Sequence, residues 1–186
     1  MTAPRRLCLV AFCTLALGAC SVMPPADFPR AERVDLERFV GTWYVIAHIP
    51  PDVTSNAYNS VERYERTARD RVRTVFTYRD GGFDGEPERM EMTGYVQPGT
   101  GNAVWAMQPF WPLRMENTIS YVGPRYETTI VARSALDWVW IMARTPRIEA
   151  SVYRDLVERV ARLGYPLEAL RRVPQQPLGV RDGPSG

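Results

Sequence analysis

Between residues 41 and 144 the chain is a succession of short segments rich in Val, Ile, Thr, Tyr and Trp, each cut off by Gly, Pro, Asp or Asn at the spacing of antiparallel strands. That rhythm predicts eight strands, at 41–49, 58–67, 71–80, 88–97, 102–108, 115–122, 126–133 and 137–144. Gly81-Gly82, Pro98-Gly99-Thr100-Gly101, Gly123-Pro124 and Ser134-Ala135 supply turns between them. Period-two alternation then assigns faces. Val72, Thr74, Phe76 and Tyr78 share one side and Arg73, Val75, Thr77 and Arg79 the other, so the first set points inward. Met90 and Met92 alternate with Arg89 and Glu91, Trp105 pairs with Met107, and Trp138, Trp140 and Met142 line one face of the last strand. Gly94 reads as a bulge that reverses the face of Tyr95.

One segment, 149–163, has the helical period instead. Val152, Leu156, Val157, Val160 and Leu163 form a stripe, Asp155 with Arg159 and Glu158 with Arg162 are i,i+4 pairs, and Gly164 followed by Pro166 stops the helix. Eight antiparallel strands with one following helix predict an all-β fold, an eight-stranded up-and-down barrel with the helix packed on its outside. An immunoglobulin-like sandwich is the alternative, but it gives a terminal helix no place.

Before the strands, Arg5 and Arg6 precede an apolar run at 7–17 that is too short to span a bilayer, and Leu17-Gly18-Ala19-Cys20 follows. This layout resembles the lipobox of bacterial lipoproteins. The resemblance implies that residues 1–19 are a signal peptide, that Cys20 is lipidated, and that two or more acyl chains anchor the protein stably. Ser21 in place of Asp points to the outer membrane, with the domain on its periplasmic face. Residues 20–33, with Pro24, Pro25 and Pro29, read as an extended tether of up to roughly 40 Å at about 3.1 Å per residue. Residues 34–174 form one domain, and the Pro- and Gly-rich 175–186 reads as a disordered tail.

Composition excludes several function classes. The 23 basic residues, Arg5 and Arg6 in the leader among them, face 21 acidic ones, which leaves no basic excess for nucleic acid. Cys8 and Cys13 lie in the leader and Cys20 carries lipid, so the mature domain has no thiol for disulfides, metals or catalysis, and His48 is the only histidine. No zinc spacing, phosphate loop or nucleophile elbow occurs, and Asp84, Asp137 and Glu62 stand without a partner base in the sequence. No cofactor, metal or enzymatic activity is assigned. Glu62 shares a face with Ser60 and Tyr64, which brings its carboxylate either into a cavity or onto the rim, and surface placement is the leading expectation for it.

Gly41-Thr42-Trp43-Tyr44, reached through residues 34–40, resembles the first signature of the lipocalins, a Gly-x-Trp entering the first strand after a short helical turn. The stretch Asp137-Trp138-Val139-Trp140-Ile141-Met142-Ala143-Arg144-Thr145-Pro146 resembles the closing strand of bacterial lipocalins and the apolipoprotein D-like branch. Phe110-Trp111-Pro112-Leu113-Arg114 and Tyr58-Asn59-Ser60-Val61-Glu62-Arg63-Tyr64 are similar to other parts of that branch, while Gly123-Pro124-Arg125-Tyr126 matches the second lipocalin signature only loosely. The resemblance implies that Gly41, Trp43 and Arg144 close one end of the barrel, with the guanidinium over the indole. It also implies a ligand cavity lined by Val45, Ala47, Val72, Phe76, Tyr78, Met90, Met92, Trp105, Met107, Trp138, Trp140 and Met142. Such a wall suits a fatty acid or lysophospholipid, held without covalent chemistry, with loops 50–57 and 110–113 choosing the head group. A lipid-anchored carrier at the outer membrane is the leading expectation. The alternatives are an envelope adaptor with a solid barrel that docks a protein and, last, an enzyme acting on a lipid or isoprenoid.

Overall fold

In the computed structural model, which describes residues 22–50 and 54–176, the strand-rich region closes into a single antiparallel ring. The elements are α1 (Leu36–Phe39), β1 (Gly41–Ile49), β2 (Ala57–Ala68), β3 (Arg71–Asp80), β4 (Pro87–Val96), β5 (Val104–Gln108), β6 (Met115–Val122), β7 (Thr128–Ala132), β8 (Val139–Ala143), α2 (Ala150–Arg162) and a short β9 (Arg171–Arg172). Each strand from β2 to β7 pairs with the next, and β1 pairs with both β8 and β2. That closure replaces the sandwich alternative with a barrel. Three strands begin later than the alternation implied, and just ahead of them Asn102, Tyr126 and Leu136 turn the chain at positive φ.

The end of the barrel beside α1 is filled. Asp35 caps α1 by accepting from the Glu37 and Arg38 amides, and the helix lays Leu36 and Phe39 across the opening. Phe39, Trp43, Tyr64 and Trp105 meet there with ring centroids 5.2 to 5.7 Å apart, all buried, in tilted and edge-to-face contacts. Arg144 seals this plug from outside. Its guanidinium lies 3.7 Å from the Trp43 ring centroid and donates to the carbonyls of Arg38, Phe39, Val40 and Thr42 at 2.7 to 3.1 Å. Gly41 has φ +103°, and a Cβ there would stand 3.3 Å from Arg144 Nη1, so both conformation and space call for glycine. The loosely matching 123–126 turn contributes too, because Tyr126 accepts from the Asp35 amide and stacks under Arg38 at 4.2 Å.

Toward the other end β1 and β2 part. They pair only from Gly41 with Tyr64 to Tyr44 with Val61, and farther up the C-terminal segment fills the seam. There β9 pairs with Ala47 and His48, Val173 donates to the Ile46 carbonyl at 3.0 Å, and Asn59 donates to the Pro174 carbonyl at 2.9 Å. The Gln175 amide bridges the Val45 and Ser60 carbonyls at 2.8 and 2.9 Å, and the Gln176 amide donates to Asn59 at 2.7 Å. Gln175 and Gln176, expected at the start of a disordered tail, are therefore part of the barrel wall, while the rest of that tail, 177–186, lies outside the described residues. Residues 22–33, expected as a free tether, run along the barrel. Pro24 is buried, Phe28 packs on the helix-side cluster, and Ala31 donates to the Ile119 carbonyl at 2.9 Å. Cys20 and the leader also lie outside the described residues.

α2 covers the outer face of β7, β8 and β1 through Leu156 and Val160, which pack with Ile46, Ile130 and Ile141. Val152, expected in the stripe, is exposed, and Arg159 stacks 4.0 Å from the Tyr121 ring centroid rather than pairing with Asp155. Gly94 is no bulge. The β3–β4 register runs unbroken through it, and a Cβ there would come within 2.9 Å of Met107 Sδ and 3.2 Å of Trp105, so this inward glycine makes room for both side chains. Replacing Arg144 with Ala removes the stacking and the carbonyl hydrogen bonds together; the expected loss is about 2 to 4 kcal/mol, read as a lower urea midpoint with an unchanged slope.

Candidate ligand-binding site

Above the aromatic plug the interior is open. A cavity of about 510 Å³ faces the other end of the barrel, within the range of small-molecule sites at about 300 to 1,000 Å³. Met90 and Met92 from β4, Met107 from β5, Met115 and Asn117 from β6, Trp140 from β8 and Trp138 just before it form most of its wall. Glu62 from β2 adds a carboxyl, and Pro50, Thr54, Arg133 and Asp137 stand at the mouth. The two indoles lie 5.8 Å apart, and Trp140 rests on Phe76 at 4.9 Å. The premise of a solid barrel does not fit this half of the molecule.

Of the expected lining, Met90, Met92, Met107, Trp138 and Trp140 come together around the cavity. Val45, Val72, Phe76, Trp105 and Met142 point inward but belong to the packed core that supports it, with Tyr78 half-buried against Phe76 at 5.3 Å. Ala47 lies on the other face. The β1–β8 register shifts between Val45 and Ala47, so Ala47 joins the apolar layer under α2 and His48, opposite Trp140, takes the inward course in its place. Met115 and Asn117 were within reach of the same period-two reading on β6. For Glu62 the strand register decides between cavity and rim, because its partner on β1 is the inward Trp43.

Glu62 is thus not a surface residue. It is 4% exposed, and its Oε2 accepts from the Tyr64 hydroxyl. Burial pushes its carboxyl from the ordinary 4.5 up to about 8, and the Tyr64 hydrogen bond offsets only part of that rise. His48 shifts oppositely for the same reason. Burial, with Arg171 nearby, pulls the imidazole from 6.5 down to about 4, and Nδ1 has no partner among the described residues. At neutral pH both groups are uncharged, so the barrel holds no net charge at either position.

The mouth is stiffened on the β7–β8 side. Arg133 pairs with Asp137 at 2.6 Å, Glu116 accepts from the Ser134 amide at 3.1 Å and from its hydroxyl, and the Tyr165 hydroxyl accepts from the Arg133 amide at 2.9 Å and lies 2.7 Å from the Trp138 carbonyl. On the β5–β6 side the loop is apolar and bare, with Phe110 65% and Trp111 85% exposed. Of the 50–57 loop, residues 51–53 lie outside the described residues. No cluster of metal-ligating side chains forms among the described residues.

The lipocalin-like domain family model matches residues 34–175, nearly the whole described chain. The chain belongs to the lipocalins. It is similar to outer membrane lipoprotein Blc of Escherichia coli strain K12, at 27% identity over 182 residues that span 87% of this chain and 92% of that protein. Temperature-induced lipocalin-1 of Arabidopsis thaliana is 23% identical over 150 residues, 76% of this chain and 80% of the relative. Among solved structures, insecticyanin from the tobacco hornworm Manduca sexta superposes with a TM-score of 0.62 at 15% identity, covering 81% of this chain and 85% of its own. Lipocalins bind small hydrophobic ligands, generally as carriers rather than enzymes, and a Met- and Trp-lined cup open at one end is the means to do so here.

The two buried groups give opposite pH signatures. Between about pH 4.5 and 8 the folded Glu62 keeps a proton that the unfolded chain releases, so its share of stability is full below 4.5 and falls as pH rises through that window. His48, depressed when folded, adds stability as pH rises from about 4 to 6.5. From pH 6.5 to 8 only the first effect remains. Urea midpoints should fall across that interval in the native protein and stay flat in Glu62→Gln; a native curve as flat as the variant's would refute the assignment.

Proposed function

We propose that this lipocalin carries an amphiphile with an acyl chain, a fatty acid or a lysophospholipid, and stores or moves it at the bacterial outer membrane. The observation that supports it is the 510 Å³ cup of Met and Trp side chains above a sealed floor. Methionine and tryptophan walls follow a flexible apolar ligand, and each buried CH2 contributes about 0.8 kcal/mol toward binding, less the cost of ordering the chain. A charged head group stays at the mouth, where Arg133 and Asp137 stand and where the exposed Phe110 and Trp111 flank the entrance. Lipidation of Cys20 holds the domain to the membrane from its periplasmic face, in keeping with the Blc relatives being named outer membrane lipoproteins. The packed 22–33 segment then sets the barrel close to its anchor rather than far out on a tether.

The soluble form lacking residues 1–20, freed of lipid, should respond to lysophospholipid and fatty acid with a saturable change in tryptophan fluorescence at one-to-one stoichiometry. Trp138 and Trp140 line the cup and report it, whereas Trp105 is sealed in the plug. Trp140→Ala should weaken binding about tenfold, equivalent to about 1.4 kcal/mol, with circular dichroism unchanged. No response from either ligand in folded protein would overturn the carrier reading and favour an adaptor. In cells, Cys20→Ser should release the protein from the membrane fraction.

A further inference from the structure

Below the mouth the cavity wall is apolar except at one level, where two polar side chains open onto the cavity. Glu62 pairs across the sheet with Trp43, and Asn117 pairs with Trp105, so both polar residues stand beside the two indoles of the plug, where the cavity meets its floor. Both are buried, 4% and 5% exposed, and both line the cavity. Tyr64 occupies only Oε2 of Glu62; among the described residues neither Oε1 nor the Asn117 side-chain amide has a hydrogen-bond partner. The indole N–H of Trp140, in the same wall, is also unpartnered among the described residues. Buried polar atoms are ordinarily satisfied, and one that loses water without gaining a partner is destabilising. A plain hydrocarbon end resting on this floor would shut water out and leave these groups unpaired.

We infer that Glu62 and Asn117 recognise the ligand, and that the end of the ligand lying deepest in the cavity carries an uncharged oxygen function, a hydroxyl or a carbonyl. The inference rests on the acyl-carrier reading and narrows its ligand to oxygenated chains. An anionic group has no place at the floor. The cation that lines the cavity, Arg133, is paired with Asp137 at the mouth, and Arg144 is on the far side of the plug, turned to backbone carbonyls. Glu62, held protonated by its burial, donates to an oxygen, and Asn117 offers both a donor and an acceptor.

The test uses delipidated protein at pH 7 and three probes of equal length: dodecanoate, ω-hydroxydodecanoate and ω-aminododecanoate. The native protein should bind the hydroxy acid about tenfold more tightly than dodecanoate. Glu62→Gln, which still donates, should keep most of that preference, and Glu62→Leu should abolish it while improving dodecanoate binding. If Glu62→Leu does not fold, the native protein and Glu62→Gln decide the matter. Equal binding of the first two acids by the native protein overturns this inference and leaves the acyl-carrier reading standing. Tightest binding of the amino acid, lost in Glu62→Gln, overturns it in favour of an ion pair. Failure of all three to bind folded protein overturns both.

Discussion

Everything above the barrel floor depends on one guanidinium. Arg144 follows the last strand of the ring, yet it ties together α1, the start of β1 that follows it and the distant 123–126 turn. A short helix of four residues cannot hold itself in water, because its terminal carbonyls and amides outnumber its internal hydrogen bonds. Arg144 satisfies those carbonyls from one side while Asp35 satisfies the amides from the other. Fixed in this way, α1 presents Phe39 to Trp43, Tyr64 and Trp105, and the aromatic plug forms. With one end solid, the same ring of strands can leave its other end empty without collapsing.

Much of this was legible in the sequence, and the reason is that a barrel wall has a simple period. Alternation located the eight strands, the inward faces of β3 and β8, and five of the residues around the cavity. The Gly-x-Trp and the distant Arg carried the closed end by resemblance. What escaped was whatever depends on register rather than period. A single irregularity in β1 moved Ala47 to the outer layer and His48 inward. Alternation put Glu62 on the face of Ser60 and Tyr64 but left cavity and rim both open, and the pairing with Trp43 decides for the cavity. Gly94 showed the opposite failure, since a glycine in a strand signals either a bulge or a close approach, and the sequence does not say which.

The C-terminal segment eluded prediction for a different reason. Its composition is that of a loop, and nothing local draws it into a sheet. It is ordered because β1 and β2 splay apart above Tyr44 and Val61, leaving backbone groups that need partners at the edge of the cavity. Val173, Pro174, Gln175 and Gln176 provide them, mostly through backbone atoms and one glutamine amide. The arrangement makes the seam the least regular part of the wall.

Glu62 stands on the strand that borders this seam, and His48 on the strand opposite. Both pay the desolvation cost of an ionisable group in an apolar barrel, and both meet it by staying neutral. Residues chosen only to fill space would not carry that cost, and leucine or valine would pack the same volume without it. In His48 the imidazole borders the clasp and needs no ligand to explain it. In Glu62 the free oxygen opens onto the cavity, as does the Asn117 amide near the floor, and there the cost has a use: it selects for a ligand that brings its own oxygen to the floor.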